Sequence, residues 1–428
     1  MKASKVINQA KAKLSTVNCQ LSIDIARILL GAVFIFSGFV KGVDPLGSTY
    51  KFEDYFTAFH LSFLSPLAFT LALLQNAAET LIGIALLLRL RINIAAWAAL
   101  LFMAFYTPLT FVLALTNPVT DCGCFGDALI LTNWQTFFKN IVLMALAALV
   151  FVRRKKIAPV YSPLAEWICV AVFAVAVVSI SIYGYRHLPL FDFRPYSIGS
   201  DIPQGMTVPQ GMTGDEFVTT LFYEKDGVVK EFYEKDRDYP WDDSTWTWKD
   251  TKSVLVKKGY QPPIHDFSLT ESATGEDVTD AVLSSEGYTF LFVAYRLGEA
   301  NQQALKQADS IAQFCRDNGY GFYCLTSSLQ DEIDEMKTAL GLSYDFCLTD
   351  GIALKTVIRA NPGLVLLEKG TVIDKWHFND MPNAKELKPN LLSYALQHRA
   401  DVSDSRLLYL LLSLFALAVV AFFDERKK

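Results

Sequence analysis

At 428 residues the chain is long enough for two or three domains, and 52% of its residues are hydrophobic while 19% are charged. That combination indicates strongly apolar segments beside an ordinary soluble domain. The formal net charge is −5 and no long basic run occurs, so nucleic-acid binding has no electrostatic basis and is excluded as a function class.

Six apolar stretches have the length of about 20 residues that a helix needs to cross a bilayer core. They cover 21–39, 66–88, 93–115, 134–152, 163–183 and 406–423. Buried helices of a large soluble protein are a poor alternative for a segment such as LLYLLLSLFALAVVAFF. The sequence therefore predicts a multi-pass α-helical membrane protein with six spans in contact with a lipid bilayer.

The basic residues of the short loops predict the orientation, because cytoplasmic loops carry an excess of Lys and Arg. Thirteen Lys and Arg residues fall on the side of the N-terminal tail, and two fall in the short loops of the other side. We therefore expect a bacterial inner (cytoplasmic) membrane protein with both termini in the cytoplasm. The segments 40–65, 116–133 and 184–405 would then face outward, the last as a periplasmic domain.

The outer segment 184–405 has the composition of a folded soluble domain. Its first part, to about residue 260, is β-like and contains a hairpin predicted to turn at Asp226 and Gly227. Beyond Pro262 and Pro263, strands and helices alternate, which predicts an α/β layer. The predicted divisions of the chain are 1–20 (tail), 21–153 (four-helix membrane unit), 163–183 (span), 184–260 (β-rich), 261–405 (α/β), 406–423 (span) and 424–428 (tail).

The order of elements over about 265–400 resembles the thioredoxin-like fold, in which a cis-proline precedes the last hairpin. Pro362 lies at the matching place, and an ordinary trans-proline opening an edge strand is the alternative. Members of this fold that perform dithiol chemistry carry Cys-x-x-Cys after the first core strand, where this sequence reads AYRLGEANQQ. The resemblance thus implies the fold, and the missing cysteines predict a binding or docking module.

The seven cysteines fall in three environments. Cys19 and Cys169 are predicted to be reduced thiols, the first cytoplasmic and the second in the fifth span. Cys315, Cys324 and Cys347 belong to the outer domain and are predicted to be buried structural thiols. A disulfide between Cys324 and Cys347 is the alternative, because both lie in short strand-like stretches.

The remaining pair, Cys122 and Cys124, lies in the outer-loop sequence TDCGCFGD. Residues i and i+2 of an extended strand are near the upper limit of separation for a disulfide, so a tight bend is needed, and Gly123 permits it. Gly126, next to Phe125, adds a second permissive point. A joined pair would be strained and easily exchanged. A redox dithiol is therefore favoured over a structural disulfide or a copper(I) site, and no metal cofactor is expected, since zinc requires four ligands.

Sequence motifs around this loop resemble a known membrane family. The motifs ARILLGAVFIFSGFVKG, NAAETLIGIALLL, CGCFG and NWQTFFKNIVL are similar to the DoxX-like superfamily, in particular its methylamine-utilisation (MauE) branch, over about residues 22–153. The resemblance implies a four-helix unit and a role in thiol–disulfide traffic, since MauE proteins are associated with maturing a disulfide-rich periplasmic enzyme. Other DoxX relatives are linked to quinone-coupled sulfur oxidation, so a quinone is the candidate cofactor. The fused outer domain departs from the four-span pattern.

Ionisable residues inside the spans need partners, because charge is costly in a bilayer. Glu79 lies near the middle of the second span and must be neutral or partnered by Lys139, Asn140 or Gln75. A role in proton handling beside a dithiol and a structural Glu–Lys bridge both remain open for Glu79.

Three other charged residues lie near the ends of the first span. Asp24 and Arg27 are three apart on one helical face and are predicted to pair near the inner surface. Lys41 closes the span on the outer side, where it is predicted to reach the interface.

Three functions remain open from the sequence. The first is a membrane thiol–disulfide oxidoreductase or maturation factor in which Cys122 and Cys124 act on a client protein of the periplasm, with or without a quinone. The second is a non-enzymatic scaffold whose outer domain binds an envelope protein, and the third is a transporter or copper handler. The residues predicted to support the cysteine pair are Asp121, Gly123, Phe125, Gly126, Glu79, Lys139 and Asn140, with Pro362 as the fold marker.

Overall fold

A computed structural model describes residues 2–236, 239–387 and 390–403, with side chains from residue 20 onward except that of 236. The predicted sixth span, 406–423, and the C-terminal tail lie outside the described residues. The side chain of Cys19 does as well.

Long helices make up the first 186 residues. They are α1 (Lys2–Val43), α2 (Pro45–Ala58), α3 (Ala68–Leu88), α4 (Ile92–Thr116), α5 (Asn133–Arg153) and α6 (Pro163–Arg186), with a 3-10 helix at Ser62–Leu67 before α3. Within the described residues, five segments are long and apolar enough to cross a membrane: Gln20–Val43, Ser62–Leu88, Ile92–Thr116, Asn133–Lys156 and Pro163–Arg186. They coincide with the first five predicted spans. The segment between the first two is not a simple loop, because it folds into α2.

Glycine allows α1 and α3 to pack closely. A Cβ atom added to Gly38 would lie 2.6 Å from the backbone nitrogen of Thr80, and one added to Gly83 would lie 2.6 Å from the carbonyl oxygen of Gly31. Only residues without a side chain permit this approach. The predicted pair at the inner end is confirmed, with Arg27 3.3 Å from Asp24.

A three-stranded antiparallel sheet follows α6. Its strands are β1 (Glu216–Lys225), β2 (Val228–Tyr233) and β3 (Thr247–Lys257), in the order β2-β1-β3. The predicted hairpin is confirmed, because Asp226 and Gly227 join β1 to β2 with φ angles of 53° and 76°. Positive φ at both central residues is the requirement of a type I′ turn, which Asp-Gly satisfies.

The rest of the described chain forms the α/β domain. Its elements are α7 (Ile202–Gly205), β4 (Thr270–Glu271), α8 (Thr279–Leu283), β5 (Tyr288–Val293), α9 (Gln302–Asn318), β6 (Gly321–Thr326), α10 (Gln330–Leu340), β7 (Phe346–Leu348), α11 (Gly351–Val357), β8 (Gly363–Glu368) and β9 (Thr371–His377), followed by helix over 391–403. The sheet order is β4-β7-β6-β5-β8-β9. Strands β5, β6 and β7 are parallel to one another. Strand β8 is antiparallel to β5, and β9 is antiparallel to β8.

Four consecutive strands of this sheet, in the order β6-β5-β8-β9, have thioredoxin-like topology. The peptide bond between Asn361 and Pro362, just before β8, is cis. The prediction of a thioredoxin-like domain with a cis-proline before the last hairpin is therefore confirmed. The hairpin turns at Lys369 and Gly370, which both have positive φ.

Apolar clusters cover both faces of this sheet. Cys324 packs in one cluster with Phe292 and Trp376, whereas Cys347 packs in the other with Leu291 and Val365. The two cysteines lie in neighbouring strands but one register step apart, so their side chains point to opposite faces. Both are buried and free, as predicted, and the strand geometry rules out a bond between them.

Candidate functional site

The sequence between α4 and α5 folds into a tight turn that brings the two sulfur atoms together. Gly123 and Gly126 have φ angles of +64° and +51°, which other residues adopt at a cost. The Asp121 carboxylate accepts a hydrogen bond of 2.8 Å from the Gly123 backbone nitrogen. The Sγ atoms of Cys122 and Cys124 are consequently 3.0 Å apart, and both residues are half-buried. We call residues 121–127 the cysteine turn.

Neighbouring helices hold the cysteine turn through its backbone and through Asp121. The Tyr55 hydroxyl, on α2, donates to the carbonyl oxygen of Cys122 at 2.8 Å. The Ser37 hydroxyl, on α1, lies 2.7 Å from the carbonyl oxygen of Cys124. Lys51 of α2 forms a 2.8 Å ion pair with Asp121. The turn is therefore fastened at three successive points and is a rigid part of the site.

The surroundings make the two thiols unequal. The hydrogen bond from Cys122 lowers the pKa of the Cys124 thiol to about 6, aided by the positive charges of Lys139 and Lys41, although burial acts in the opposite direction. The same hydrogen bond, together with burial, raises the pKa of Cys122. The directions of the two pKa shifts favour Cys124 as the thiolate of the reduced pair, with Cys122 as the donor of the hydrogen bond between the sulfur atoms.

Below the cysteine turn lies a buried ion pair. Glu79 of α3 accepts hydrogen bonds from Lys41 at 2.7 Å, from Ser37 at 2.7 Å and from Gln75 at 3.1 Å. The predicted partner Gln75 is confirmed, whereas the predicted partners Lys139 and Asn140 are wrong. The expectation that Lys41 reaches the interface is also wrong: Lys41 is only 6% exposed, because its chain turns inward to the carboxylate.

Lys139 and Asn140 occupy other positions on α5. The Lys139 ammonium lies 4.3 Å from the centre of the Phe125 ring, a cation–π contact at the edge of the cysteine turn. Asn140 donates to Thr110 of α4 at 3.2 Å. Lys139 therefore serves the turn directly, while Asn140 joins two helices.

A cavity of about 750 Å³ opens beside the cysteine pair. Both cysteines, Glu79, Lys139 and Asn140 line it, and most of its wall is apolar, including Phe34, Leu71, Leu74, Phe102, Phe105, Leu109 and Leu143. Leu74 and Phe105 are more than half exposed, so the cavity is open between α3 and α4. This volume is large enough to bind a small organic molecule that contains one or more rings.

The α/β domain rests on the end of the helical unit that carries the cysteine turn and contributes to the same cavity. Arg359, three residues before the cis-proline, forms ion pairs of 2.8 Å with Asp44 and with Asp127 of the cysteine turn. The hydroxyls of Tyr50 and Tyr295 are 3.1 Å apart. The cysteine turn, α2 and the α/β domain therefore lie on the same side of the membrane unit.

Sequence reasoning missed several residues of this site. Ser37 and Lys41 are the two polar residues of the motif GAVFIFSGFVK, which carries part of the family resemblance, so both could have been predicted as site residues. Tyr55 and Arg359 had no comparable signal, because each acts through a contact between segments far apart in the chain. Pro362 marks the fold and does not line the cavity.

Comparisons with known proteins agree with these observations. Residues 19–153 match the family model of the methylamine utilisation protein MauE, and residues 217–258 match a domain of unknown function, DUF8463. No curated protein matches the chain. The chain is also similar to a solution structure from Bacteroides thetaiotaomicron, of a protein named as a candidate protein disulfide isomerase, at 15% identity and a TM-score of 0.23, over 31% of this chain and 84% of that one.

A TM-score this low carries no argument, so the thioredoxin-like assignment rests on the strand order and the cis-proline. The MauE match covers the first four spans and the cysteine turn. The chain is a membrane protein in which residues 19–153 form a helical unit similar to MauE, followed by a further span and an α/β domain of thioredoxin-like topology.

Proposed function

We propose that this protein is a membrane thiol–disulfide oxidoreductase or maturation factor whose reacting groups are Cys122 and Cys124. The observation that carries the proposal is the pair itself: two sulfur atoms 3.0 Å apart, in a rigid turn, beside a cavity that is open to the membrane. The coarser role, in membrane redox chemistry or maturation, is consistent with the MauE match.

The inequality of the two thiols suggests the order of attack. A disulfide is cleaved fastest when the thiolate that leaves is the more stable one, which here is Cys124. A client thiolate therefore attacks Cys122, the Cys122–Cys124 bond breaks, and the electron pair stays on Cys124. The second client thiol then attacks the mixed disulfide at the client sulfur. The client disulfide forms and the pair is left as thiol and thiolate.

Regenerating the disulfide from this thiol and thiolate requires that two electrons and one proton leave the pair. The second proton of the overall dithiol oxidation is the one released when the client thiol ionised. Ser37 lies 2.7 Å from both the Cys124 carbonyl oxygen and Glu79, but its hydroxyl has one hydrogen and the carbonyl can only accept. The Ser37 hydroxyl therefore shares its one hydrogen between the two oxygen atoms and links the cysteine turn to Glu79. Glu79 is accordingly the proposed proton acceptor, with Lys41 stabilising its ionised form.

The acceptor of the electrons is proposed to be a quinone, as a diffusible substrate. The cavity supports this choice because it is largely apolar, opens between two membrane helices and begins at the cysteine pair. The Tyr106 hydroxyl and the Lys139 ammonium line it and are hydrogen-bond donors suited to a carbonyl oxygen. A quinone takes up two electrons and two protons, which matches the oxidation of a dithiol.

The location and the client complete the proposal. The excess of Lys and Arg on the opposite side supports a bacterial inner-membrane location with the cysteine turn and the α/β domain in the periplasm and both termini in the cytoplasm. Since the α/β domain lacks a dithiol after β5, it is proposed to recognise an envelope client rather than to exchange disulfides itself.

A static scaffold is the second candidate, favoured by the bonds that fasten the cysteine turn from three sides. In that case the pair is a permanent staple.

Thiol trapping in intact cells tests the proposal. Cells are quenched with acid and the protein is labelled with a maleimide mass tag, with Cys122→Ser and Cys124→Ser alongside and Cys169→Ser, in the fifth span, as the control. We expect a mixture of oxidised and reduced pair that becomes reduced when quinones are depleted. We also expect mixed disulfides with envelope proteins to accumulate in Cys124→Ser and not in Cys122→Ser, because the remaining Cys122 thiolate attacks the disulfide of an oxidised client, releases one client thiol and lacks a second cysteine to resolve the product.

Each outcome separates the candidates. A pair that stays fully oxidised with or without quinones, and under mild dithiol, supports the scaffold and contradicts the redox proposal. A pair that cycles but ignores quinone depletion keeps the redox role and refutes only the acceptor.

A further inference from the structure

Arg359 is the residue through which the α/β domain reaches the cysteine turn. It follows α11, and its side chain is only 6% exposed. Its Nε atom donates to Asp44 and one terminal nitrogen donates to Asp127, each at 2.8 Å. A third nitrogen donates to the carbonyl oxygen of Lys355. A buried guanidinium with all its branches bonded has one fixed position.

The two carboxylates belong to the two segments that position the cysteines, which are the cysteine turn and α2. Asp127 lies in the cysteine turn, in the 3-10 helix Gly126–Ala128 that follows Cys124. Asp44 caps the start of α2 by accepting from the Gly47 nitrogen at 2.9 Å. Helix α2 carries Tyr55, which donates to the carbonyl oxygen of Cys122. One side chain of the α/β domain therefore fixes both sides of the cysteine pair.

Neighbouring residues pack tightly around Arg359 and its two carboxylate partners. A Cβ atom added to Gly47 would lie 3.0 Å from the Arg359 guanidinium, so a larger residue there would press on it. The Lys355 ammonium lies 4.3 Å from the centre of the Tyr50 ring, and Tyr50 meets Tyr295 of the α/β domain. These contacts seat the domain on α2, whereas Arg359 is the one that also reaches the cysteine turn.

We propose that Arg359 is a positioning residue for Cys122 and Cys124, by which the seated α/β domain holds the cysteine turn in its reactive geometry. The inference rests on the proposed redox function of the pair. Arg359 does not touch either cysteine, and it acts through Asp127 and Asp44. The domain is thus more than a recognition module, because the reactivity of the pair depends on its presence.

The experiment uses the full-length protein in membranes, with Arg359→Gln, Arg359→Lys and Asp127→Asn. The matched control is Arg296→Gln, because Arg296 is an exposed arginine of the same domain with one carboxylate partner, Glu299. Two properties of the pair are measured: the pH dependence of Cys124 alkylation in the reduced protein and the equilibrium constant for its oxidation by glutathione. Resistance of the α/β domain to protease reports whether it remains folded.

In Arg359→Gln, the freed Asp127 carboxylate and the loosened turn both oppose a thiolate at Cys124. We expect alkylation at pH 6 to fall by at least about threefold, because the thiolate is less stable. At pH 5, where both thiols are mostly protonated and the thiolate contributes little, we expect the glutathione equilibrium to shift toward the dithiol by at least about threefold, because the loosened turn no longer holds the two sulfur atoms close together. Arg359→Lys keeps the charge and recovers part of both changes. Adding Asp127→Asn to Arg359→Gln removes the freed carboxylate and should recover part of the alkylation at pH 6, but it should not change the glutathione equilibrium further, since the two residues hold the turn through one contact.

The inference is overturned if Arg359→Gln behaves like Arg296→Gln while the domain stays protease-resistant, or if the effects of Arg359→Gln and Asp127→Asn on the glutathione equilibrium simply add. Should the domain unfold in Arg359→Gln, Asp127→Asn decides alone, because its change lies outside the domain. Failure of the redox proposal looks different: the alkylation and glutathione values respond to Arg359 as expected, but the pair does not cycle in cells.

Discussion

Lys139 is the cation whose charge contributes most to the thiolate of Cys124. Among the described residues its ammonium has no carboxylate partner, and its closest aromatic contact is the Phe125 ring at 4.3 Å. Lys41, by contrast, is already neutralised by Glu79 at 2.6 Å. The unshared charge of Lys139 is therefore more effective at the sulfur than the shared charge of Lys41.

Replacing Lys139 by Met tests this electrostatic role. A thiol whose pKa is lowered is ionised above that pKa and loses its thiolate as the pH falls below it, so Cys124 should react above about pH 6. In Lys139→Met the pH at which Cys124 becomes reactive moves to a higher value. An increase of about one unit in the pKa of Cys124 lowers its thiolate fraction at pH 6 roughly fivefold. The rate of Cys124 alkylation against pH measures it. Lys139→Arg keeps the charge and should keep the profile, and unchanged profiles in both variants would exclude the role.

At the scale of single residues, the sequence identified the cysteine pair but not all of its neighbours. The spacing of Cys122 and Cys124 around Gly123 predicted a compact turn, because the chemistry of such a turn is local. The partner of Glu79 was predicted wrongly in part, since a helical sequence defines which residues share a face and leaves open which neighbouring helix that face meets. Lys41 and Lys139 were both available, and only the packing of α1 against α3 selects Lys41.

The cysteine turn depends on one glycine more than on the others. Gly123 combines a φ of +64° with a close approach to Lys51, whose Cγ atom would lie 3.0 Å from an added Cβ. The left-handed region costs a residue with a side chain about 1–2 kcal/mol. The free thiols of the structure already occupy this bend, which hydrogen bonds of the turn hold in place. A reduced variant with strain there can give up those hydrogen bonds, whereas a disulfide between residues two apart enforces the bend. The strain therefore falls on the oxidised form.

Gly123→Ala is accordingly expected to disfavour the disulfide. A cost of about 1–2 kcal/mol corresponds to roughly a 5- to 30-fold shift of the thiol–disulfide equilibrium toward the dithiol. Titration with glutathione and a maleimide mass tag measures it. Gly275→Ala is the matched control: Gly275 has a φ of +76°, open space around its Cβ position and a place far from the cysteines. An equal shift in both variants, or none in Gly123→Ala, would contradict the proposed strain.

At the scale of elements, the local sequence was sufficient to predict most of the helices, strands and hairpins. The hairpins at Asp226–Gly227 and at Lys369–Gly370 were predictable because the positive φ angles of such turns favour Gly, and Asp before it in the first hairpin. The amphipathic helix α9 and the buried strand β5 were predictable from periodicity and apolar content. Helix α2 was missed, because it is short, lies in a segment read as a loop and owes its position to contacts with α3 and the cysteine turn.

At the scale of the whole molecule, the contact between Arg359 and Asp127 joins residues 232 positions apart. No local pattern could predict it, since both side chains look like ordinary surface charges in the sequence. The contact also constrains topology. Two spans, Asn133–Lys156 and Pro163–Arg186, separate Asp127 from the α/β domain, and an even number of crossings returns the chain to the same side of the membrane. The predicted alternation of loops and the observed contact are independent observations, and both place the cysteine turn and the α/β domain on the same side of the membrane.

Fusions of alkaline phosphatase test the side and the proposed sixth crossing, because this reporter needs disulfides and is active only outside the cytoplasm. We expect activity after Ser403, at the end of the described helix, and none after Ala158 in the loop rich in Lys and Arg. A fusion after Lys428 should be inactive if 406–423 crosses the membrane, as its length and apolarity predict. Activity after Lys428 would refute the sixth span while leaving the cysteine turn and the α/β domain outside. Activity after Ala158 combined with none after Ser403 would reverse the orientation and place the cysteine pair in a reducing compartment, where a role in oxidising envelope proteins fails.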